Sequence, residues 1–337
     1  MVTCDACLRA NPPTRANCLY CGAGLTAGKN NSPPAGKDDS PPAGKDDSLG
    51  QANPVAATET DSPGRAQSGF YIVLSPSQTT RVNESSQAKI AETLHLQSKD
   101  LERALELGTP VPLSLAATAE QAKMLIDQLS ALGIQAEVFV HDQLHLNLPV
   151  KKIRALEVSD DRLTLTILNG GTVSVDLADL VLMVMGRLMV SRLEKEERRR
   201  RGRSQPVDSR ELFSDEPLVD LYSRTDEIGC RIAAGSFDFS CLGAEKSMTA
   251  FENFTKLIAL VRARAPNVEI DDSYRALRPV LANIWPLEPQ TRKGEWRRAG
   301  AGKLDVSTVT SIDNETQFNS YSRLRRHVKF RQLEGGR

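Results

Sequence analysis

The sequence predicts a multi-domain α+β protein. It would comprise a small metal-folded ribbon, a disordered linker, a β-α-α-β-α-β sandwich, and a mostly antiparallel β barrel with a C-terminal capping helix. Three observations carry this expectation. Four cysteines open the chain as two tight pairs. An eight-letter repeat rich in Pro, Gly and charge follows them. Beyond about residue 68, short β-branched and aromatic runs alternate with segments of helical period, each bounded by capping or turn residues.

The ribbon is residues 1–26. Cys4-Asp5-Ala6-Cys7 and Cys18-Leu19-Tyr20-Cys21-Gly22 are separated by ten residues. Two residues between cysteines let both thiolates of a tight turn face one ion, and two such turns make a tetrahedral sulfur site suited to structural Zn²⁺. Gly22 lets backbone N–H groups fold back toward the sulfurs, whereas Leu8 holds that place in the first turn. Iron uses the same ligands but favours an aromatic-rich shell, and only Tyr20 is near. Four thiolates leave no open position, so catalysis at the metal is not expected. The segment holds too little apolar surface to fold without its ion.

Residues 27–67 read as a linker. SPPAGKDD at 32–39 is repeated at 40–47, and Ser, Gly, Asn, Pro, Ala and Thr dominate to about Gln67. Such a composition cannot bury a core, and ~40 residues of coil reach ~35 Å.

The third region, 68–147, is predicted strand by strand and helix by helix. A strand is expected at 70–74, helices at 86–96 and 99–107 with a stop at Gly108, and a strand at 111–115 that Pro112 marks as an edge or a strand start. Thr118-Ala119-Glu120-Gln121 has the form of a capping box and opens a helix closed by Gly133, before a strand at 134–140. From Gly108 to Phe139 a Gly ends a helix, a strand enters through Pro, and an Ala/Leu-rich helix ends in Leu-Gly before Glu-Val-Phe. In this pattern the region resembles the C-terminal domain of the bacterial ribosomal stalk protein and the Clp protease adaptor. The resemblance implies docking of protein partners and no chemistry of its own.

The fourth region, 150–266, reads as strands at 153–158, 163–168 and 172–175, with Asn169-Gly170-Gly171 as a hairpin turn. A long apolar strand or bent pair is expected at 180–193, and further strands at 218–222, 230–234 and 237–241. Thr249-Ala250-Phe251-Glu252 then caps a helix with Phe251, Phe254, Leu257, Ile258 and Val261 on one face, ended by Pro266. About seven strands closed by one helix resembles a pleckstrin-homology-like barrel. The first loop, Ser159-Asp160-Asp161, would repel phosphate, so the resemblance implies a protein or peptide partner rather than a lipid. Residues 267–337 are expected to be partly ordered, with a helix at 274–284, Trp285 and Trp296 pinning the segment to the barrel, and fraying beyond Tyr321 in a basic tail.

Function classes are narrowed by what the chain contains. Lys+Arg and Asp+Glu both total 43, so the global basic excess of a strong nucleic-acid or anionic-membrane binder is missing. The start Met-Val-Thr-Cys-Asp has no signal-peptide pattern, and the apolar run at 180–185 is too short to span a bilayer. This predicts a cytoplasmic protein, where thiols stay reduced and metal is favoured over disulfides. Cys230 and Cys241 read as inert buried thiols. His95, His141, His145 and His327 are scattered, and Asp160-Asp161 and Asp271-Asp272 read as solvated loop carboxylates. The charged run 194–203 reads as a solvated hairpin extension. No phosphate-cradling, dinucleotide, nucleophile-elbow or zincin motif is present. The expectation is therefore a non-catalytic adaptor that docks a protein partner, with no cofactor beyond Zn²⁺ and no membrane or small-molecule partner. The alternative is a nucleic-acid-associated regulator using the ribbon, Arg198–Arg203 and the basic tail.

Overall fold

A computed structural model describes residues 2–3, 10–11, 69–75, 82–200, 203–226, 228–294, 297–300 and 303–335. The chain divides into two compact units, 1–62 and 63–337. In the first, β1 (Val2–Thr3) pairs antiparallel with β2 (Ala10–Asn11). Cys4, Cys7, Cys18 and Cys21 lie outside the described residues, as does the linker.

The second unit mixes helices with two sheets. It begins with β3 (Phe70–Leu74), α1 (Glu84–Thr93), α2 (Ser98–Leu107), β4 (Pro112–Ala116), α3 (Ala119–Ala131) and β5 (Ala136–Val140). The strands form an antiparallel sheet in the order β4-β3-β5. Local chemistry sets these bounds. Asn83 and Thr118 accept hydrogen bonds from Ser86 N and Gln121 N, so each caps a helix. Gly108, with φ at +59°, ends α2 in the left-handed conformation that a side chain resists. Ile72, Ile90, Leu101, Leu113 and Leu129 are fully buried between sheet and helices.

The larger sheet starts with β6 (Lys151–Val158), β7 (Arg162–Ile167) and β8 (Thr172–Asp176), a meander whose second turn holds Gly170 and Gly171 at positive φ. Two 21-residue strands follow, β9 (Leu180–Arg200) and β10 (Arg203–Ser223), then β11 (Cys230–Ala233). The remaining elements are α4 (Ala250–Arg264), β12 (Glu269–Asp271), α5 (Tyr274–Ile284), β13 (Gln290–Lys293), β14 (Arg297–Gly300), β15 (Lys303–Asp313) and α6 (Glu315–Gly335). Strand order is β13-β15-β9-β10-β11-β6-β7-β8, with β12 beside β9 and β14 beside β15. All pairs are antiparallel except β11–β6 and β12–β9.

Of the expected mostly antiparallel barrel, the structure shows a curled half-barrel sheet. The physical reason is the length of β9. Its outer half pairs with β15, which pairs with β13, so the sheet runs outward along an arm instead of returning to β8. The root of β9 is buried on both faces. Leu182 and Val184 join the core under α5 and α6, whereas Leu180 and Met183 join a second core under Phe254, Leu257 and Val261 of α4. A strand covered on both sides reads as an unbroken apolar run. The first core is continuous from the three-stranded sheet through α5 and α6 to β9 and β10.

Two further expectations are corrected. Residues 237–241 are not a strand. Asp238 accepts from Ser240 N and starts a 3-10 turn over Phe239–Glu245. The chain does not fray beyond Tyr321, because α6 continues to Gly335 with Leu324 and Val328 buried. Phe318, Tyr321, Leu324 and Val328 stand at helical spacing and face the core. Gly186 permits this docking: a Cβ there would collide with the Phe318 ring. Trp285 meets the three-stranded sheet, its Nε1–H donating to Tyr71 Oη at 3.1 Å; Trp296 lies outside the described residues.

Candidate functional surfaces

Ionisable groups in the core form two networks that fasten α6 to the sheet. In the first, Arg231 of β11 holds Asp220 of β10, and Ser322 of α6 donates to the same carboxylate at 2.7 Å. Asn319 accepts from Arg231 at 2.6 Å. Burial alone would lower the Arg231 pKa, but the Asp220 charge reverses this and raises it. In the second network, Arg325 bridges Asp271 and Glu269 of β12, Tyr321 donates to Asp271 at 2.7 Å, and Lys329 reaches Glu269. Burial, then the Asp271 charge, pushes the Tyr321 hydroxyl well above its usual pKa. Asp271 is therefore a buried anchor, which corrects the reading of both acidic pairs as solvated. Asp160 does remain exposed, in an ion pair with Arg264.

A cleft of about 650 Å³ opens between β3, β5, the loop after α2, β12 and α6. Its charges neutralise one another. Glu137 faces Arg331 at 3.5 Å and accepts from Ser75 Oγ at 2.9 Å, while Glu269 takes Arg325 and Lys329.

Two of the scattered histidines and both lone cysteines occupy structural places. His141 Nδ1 hydrogen-bonds Tyr71 Oη at 2.9 Å, and His327 packs edge-on against Phe139. Cys230 is buried, and burial followed by the nearby Asp226 charge pushes its thiol up to about 12. Cys241 is partly buried, with its thiol also raised by burial. Among the described residues no group of three or more His, Cys, Asp or Glu side chains is placed to hold a metal. No helix among them is long and apolar enough to cross a membrane.

The outer halves of β9, β10 and β15 form an arm. On β10 only Leu218–Leu221 pair with β11, so its outer half has a partner on one side only among the described residues. That half exposes Val207, Leu212 and Phe213, the last at 52%. Phe213 and exposed Ile312 share a row across Ser191, which places them on one face. Nothing in sequence periodicity marks this edge, because a strand wetted on both faces carries no alternating apolar signal. Its signal was a turn flanked by mixed charge. The charged run 194–203 continues β9 and opens β10, as expected of a hairpin extension.

No protein-family model, no curated protein and no solved structure matches the chain.

Proposed function

We propose that the protein is a non-catalytic, cytoplasmic adaptor, and that the arm is its docking surface for an extended segment of a partner protein. One observation carries this reading: the outer half of β10 combines an edge that has no strand partner among the described residues with exposed Leu212 and Phe213. Unpaired backbone N–H and C=O groups accept an added strand, and alternate side chains then set specificity.

At the N-terminus Cys4, Cys7, Cys18 and Cys21 would hold Zn²⁺ as a purely structural ion. The pairing of Thr3 with Ala10 supports this, since it brings together the ends of the segment that carries Cys4 and Cys7. The ribbon, tethered by residues 27–67, would add a second contact through effective concentration. The element order of residues 70–140 supports the likeness to the ribosomal stalk domain. The pleckstrin-homology-like reading is supported only by the helix laid over a curled sheet.

Affinity capture from the native cell tests this, using the full chain, a chain lacking residues 1–67, and Leu212→Asp/Phe213→Asp. The full chain should recover a defined partner, and both changes should deplete it. Equal recovery by all three proteins refutes the arm as the docking surface. A purified chain that turns over a substrate refutes the adaptor.

A further inference from the structure

The strand that ends the larger sheet opposite β13 has an open edge. Among the described residues β8 pairs with β7 alone, in an antiparallel ladder without register shifts. Ile167 N–H donates to Gly171 O at 3.0 Å, and Leu177 N–H donates to Asp161 O at 2.8 Å. The N–H and C=O of a strand residue point to one side, and that side alternates along the chain. These two bonds therefore aim the backbone of 171, 173, 175 and 177 at β7, and that of Thr172, Ser174 and Asp176 outward. The side chains of Thr172, Ser174 and Asp176 are exposed, whereas Val175 is buried and Val173 packs on the core under α4.

An open strand edge is a template for another strand, and folded proteins blunt such edges with charge, Pro or a bulge. At the far end of the sheet β13 carries Arg292 and Lys293, and β4 of the smaller sheet opens on Pro112, where its register against β3 shifts. Of these devices β8 has only the charge of Asp176, which Arg162 of β7 already holds at 2.9 Å. The strand, Thr172-Val173-Ser174-Val175-Asp176, is self-complementary about Ser174. An antiparallel two-fold there sets Thr172 opposite Asp176, Val173 opposite Val175, and Ser174 opposite the second copy's Ser174. No other two-fold register engages all three outward residues of both strands, and this one keeps the two Asp176 carboxylates apart. Each outward pair exchanges two bonds, so about six backbone hydrogen bonds form. The Val173–Val175 pairs carry the apolar face across the junction, and β-branched pairs of this kind stabilise a sheet.

We propose that β8 is a homodimer edge, at which two copies of this chain join β8 to β8, antiparallel about Ser174, into one continuous sheet. Strands β11, β6 and β7 separate β8 from β10, so this site lies beyond the adaptor reading and does not rest on it. A five-residue ladder buries less than a standard interface, so the dimer is a weak one that forms in the micromolar range.

The test is sedimentation of the full chain across the micromolar range, with lysine placed at either of two outward positions. Ser174→Lys sets like charges opposite each other at the two-fold and should weaken the dimer by about fivefold or more. Thr172→Lys sets each new lysine opposite Asp176 of the other copy and should tighten the dimer about threefold. Neither side chain faces the core, so both variants should melt close to the parent in dilute solution. Amide exchange locates the contact. The N–H groups of Thr172, Ser174 and Asp176 should exchange freely in dilute protein and become protected as concentration rises, while those of Val173 and Val175 stay protected throughout. Leu212→Asp/Phe213→Asp should leave the dimer in place. The proposal is overturned if the chain is monomeric over the whole range, if both lysines weaken association alike, if Ser174→Lys leaves it unchanged, or if the arm variant abolishes it.

Discussion

Arg231 grips Asp220 at two points, Nε to Oδ1 at 2.7 Å and Nη2 to Oδ2 at 2.8 Å, with side chains only 3% and 1% exposed. The two residues sit on neighbouring strands, and Ser322, Asn319 and Glu315 of α6 line the pair, Glu315 at 3.5 Å from Arg231 Nη1. The last helix of the chain is thus keyed to the middle of the sheet by a charge pair sealed from water.

Removing one partner should cost far more than the pair contributes. Asp220→Ala leaves the buried guanidinium with only Glu315, at 3.5 Å, as counter-charge, a loss on the order of 3 kcal/mol. Urea unfolding should show the midpoint falling by that amount, with α6 the first element to lose amide-exchange protection. A double variant, Asp220→Leu with Arg231→Met, should recover much of the loss because no charge is then stranded. Equal destabilisation by the single and double variants would mean that packing volume, not charge, is what the site protects.

Much of the fold was legible where chain chemistry is local. Thr118 and Thr249 mark helix starts by their side chains, Gly108 and Gly133 mark ends by positive φ, and Tyr274–Ile284 is helical over the expected span. What escaped depends on partners distant in sequence. The apolar positions of α6 are interleaved with Arg323, Arg325 and Arg326, so the segment reads as a basic tail until β12 supplies Asp271 and Glu269. The sequences of β13 (QTRK) and β14 (RRAG) have no apolar alternation, and in β15 (KLDVSTVTSID) it is limited to Leu304 and Val306. Of the candidate sites, only the run at 194–203 was visible. Its neighbours Arg297, Arg298 and Lys303 come from a separate strand pair that the register alone brings alongside.

Thiol reactivity should sort the six cysteines into three classes. In native protein at pH 8, Cys241 should alkylate slowly, and Cys230 not at all, because a thiol pushed up to about 12 stays protonated and this one is buried. Cys4, Cys7, Cys18 and Cys21 should be protected by Zn²⁺ and released together by a chelator. Mass spectrometry should therefore count at most one adduct before chelation, up to five after it, and six in denaturant. Rapid modification of all four N-terminal thiols in metal-replete protein would remove the zinc ribbon from the account.

Mild acid should act through His327. Burial, then the charges of Arg331, Arg326 and His145, hold its pKa below the usual value near 6.5, with Glu334 opposing, and its ring packs against Phe139. The folded chain thus takes up a proton less readily than the unfolded chain. Stability from this group is complete above about pH 6.5 and is lost as pH falls from there through the folded-state pKa. The urea midpoint of the wild type should begin to drop as pH falls below about 6.5, above the range in which ordinary carboxylates titrate. His327→Gln should flatten that part of the profile while leaving the drop at lower pH in place. An unchanged slope in the variant would show that the imidazole is as easily protonated in the fold as outside it.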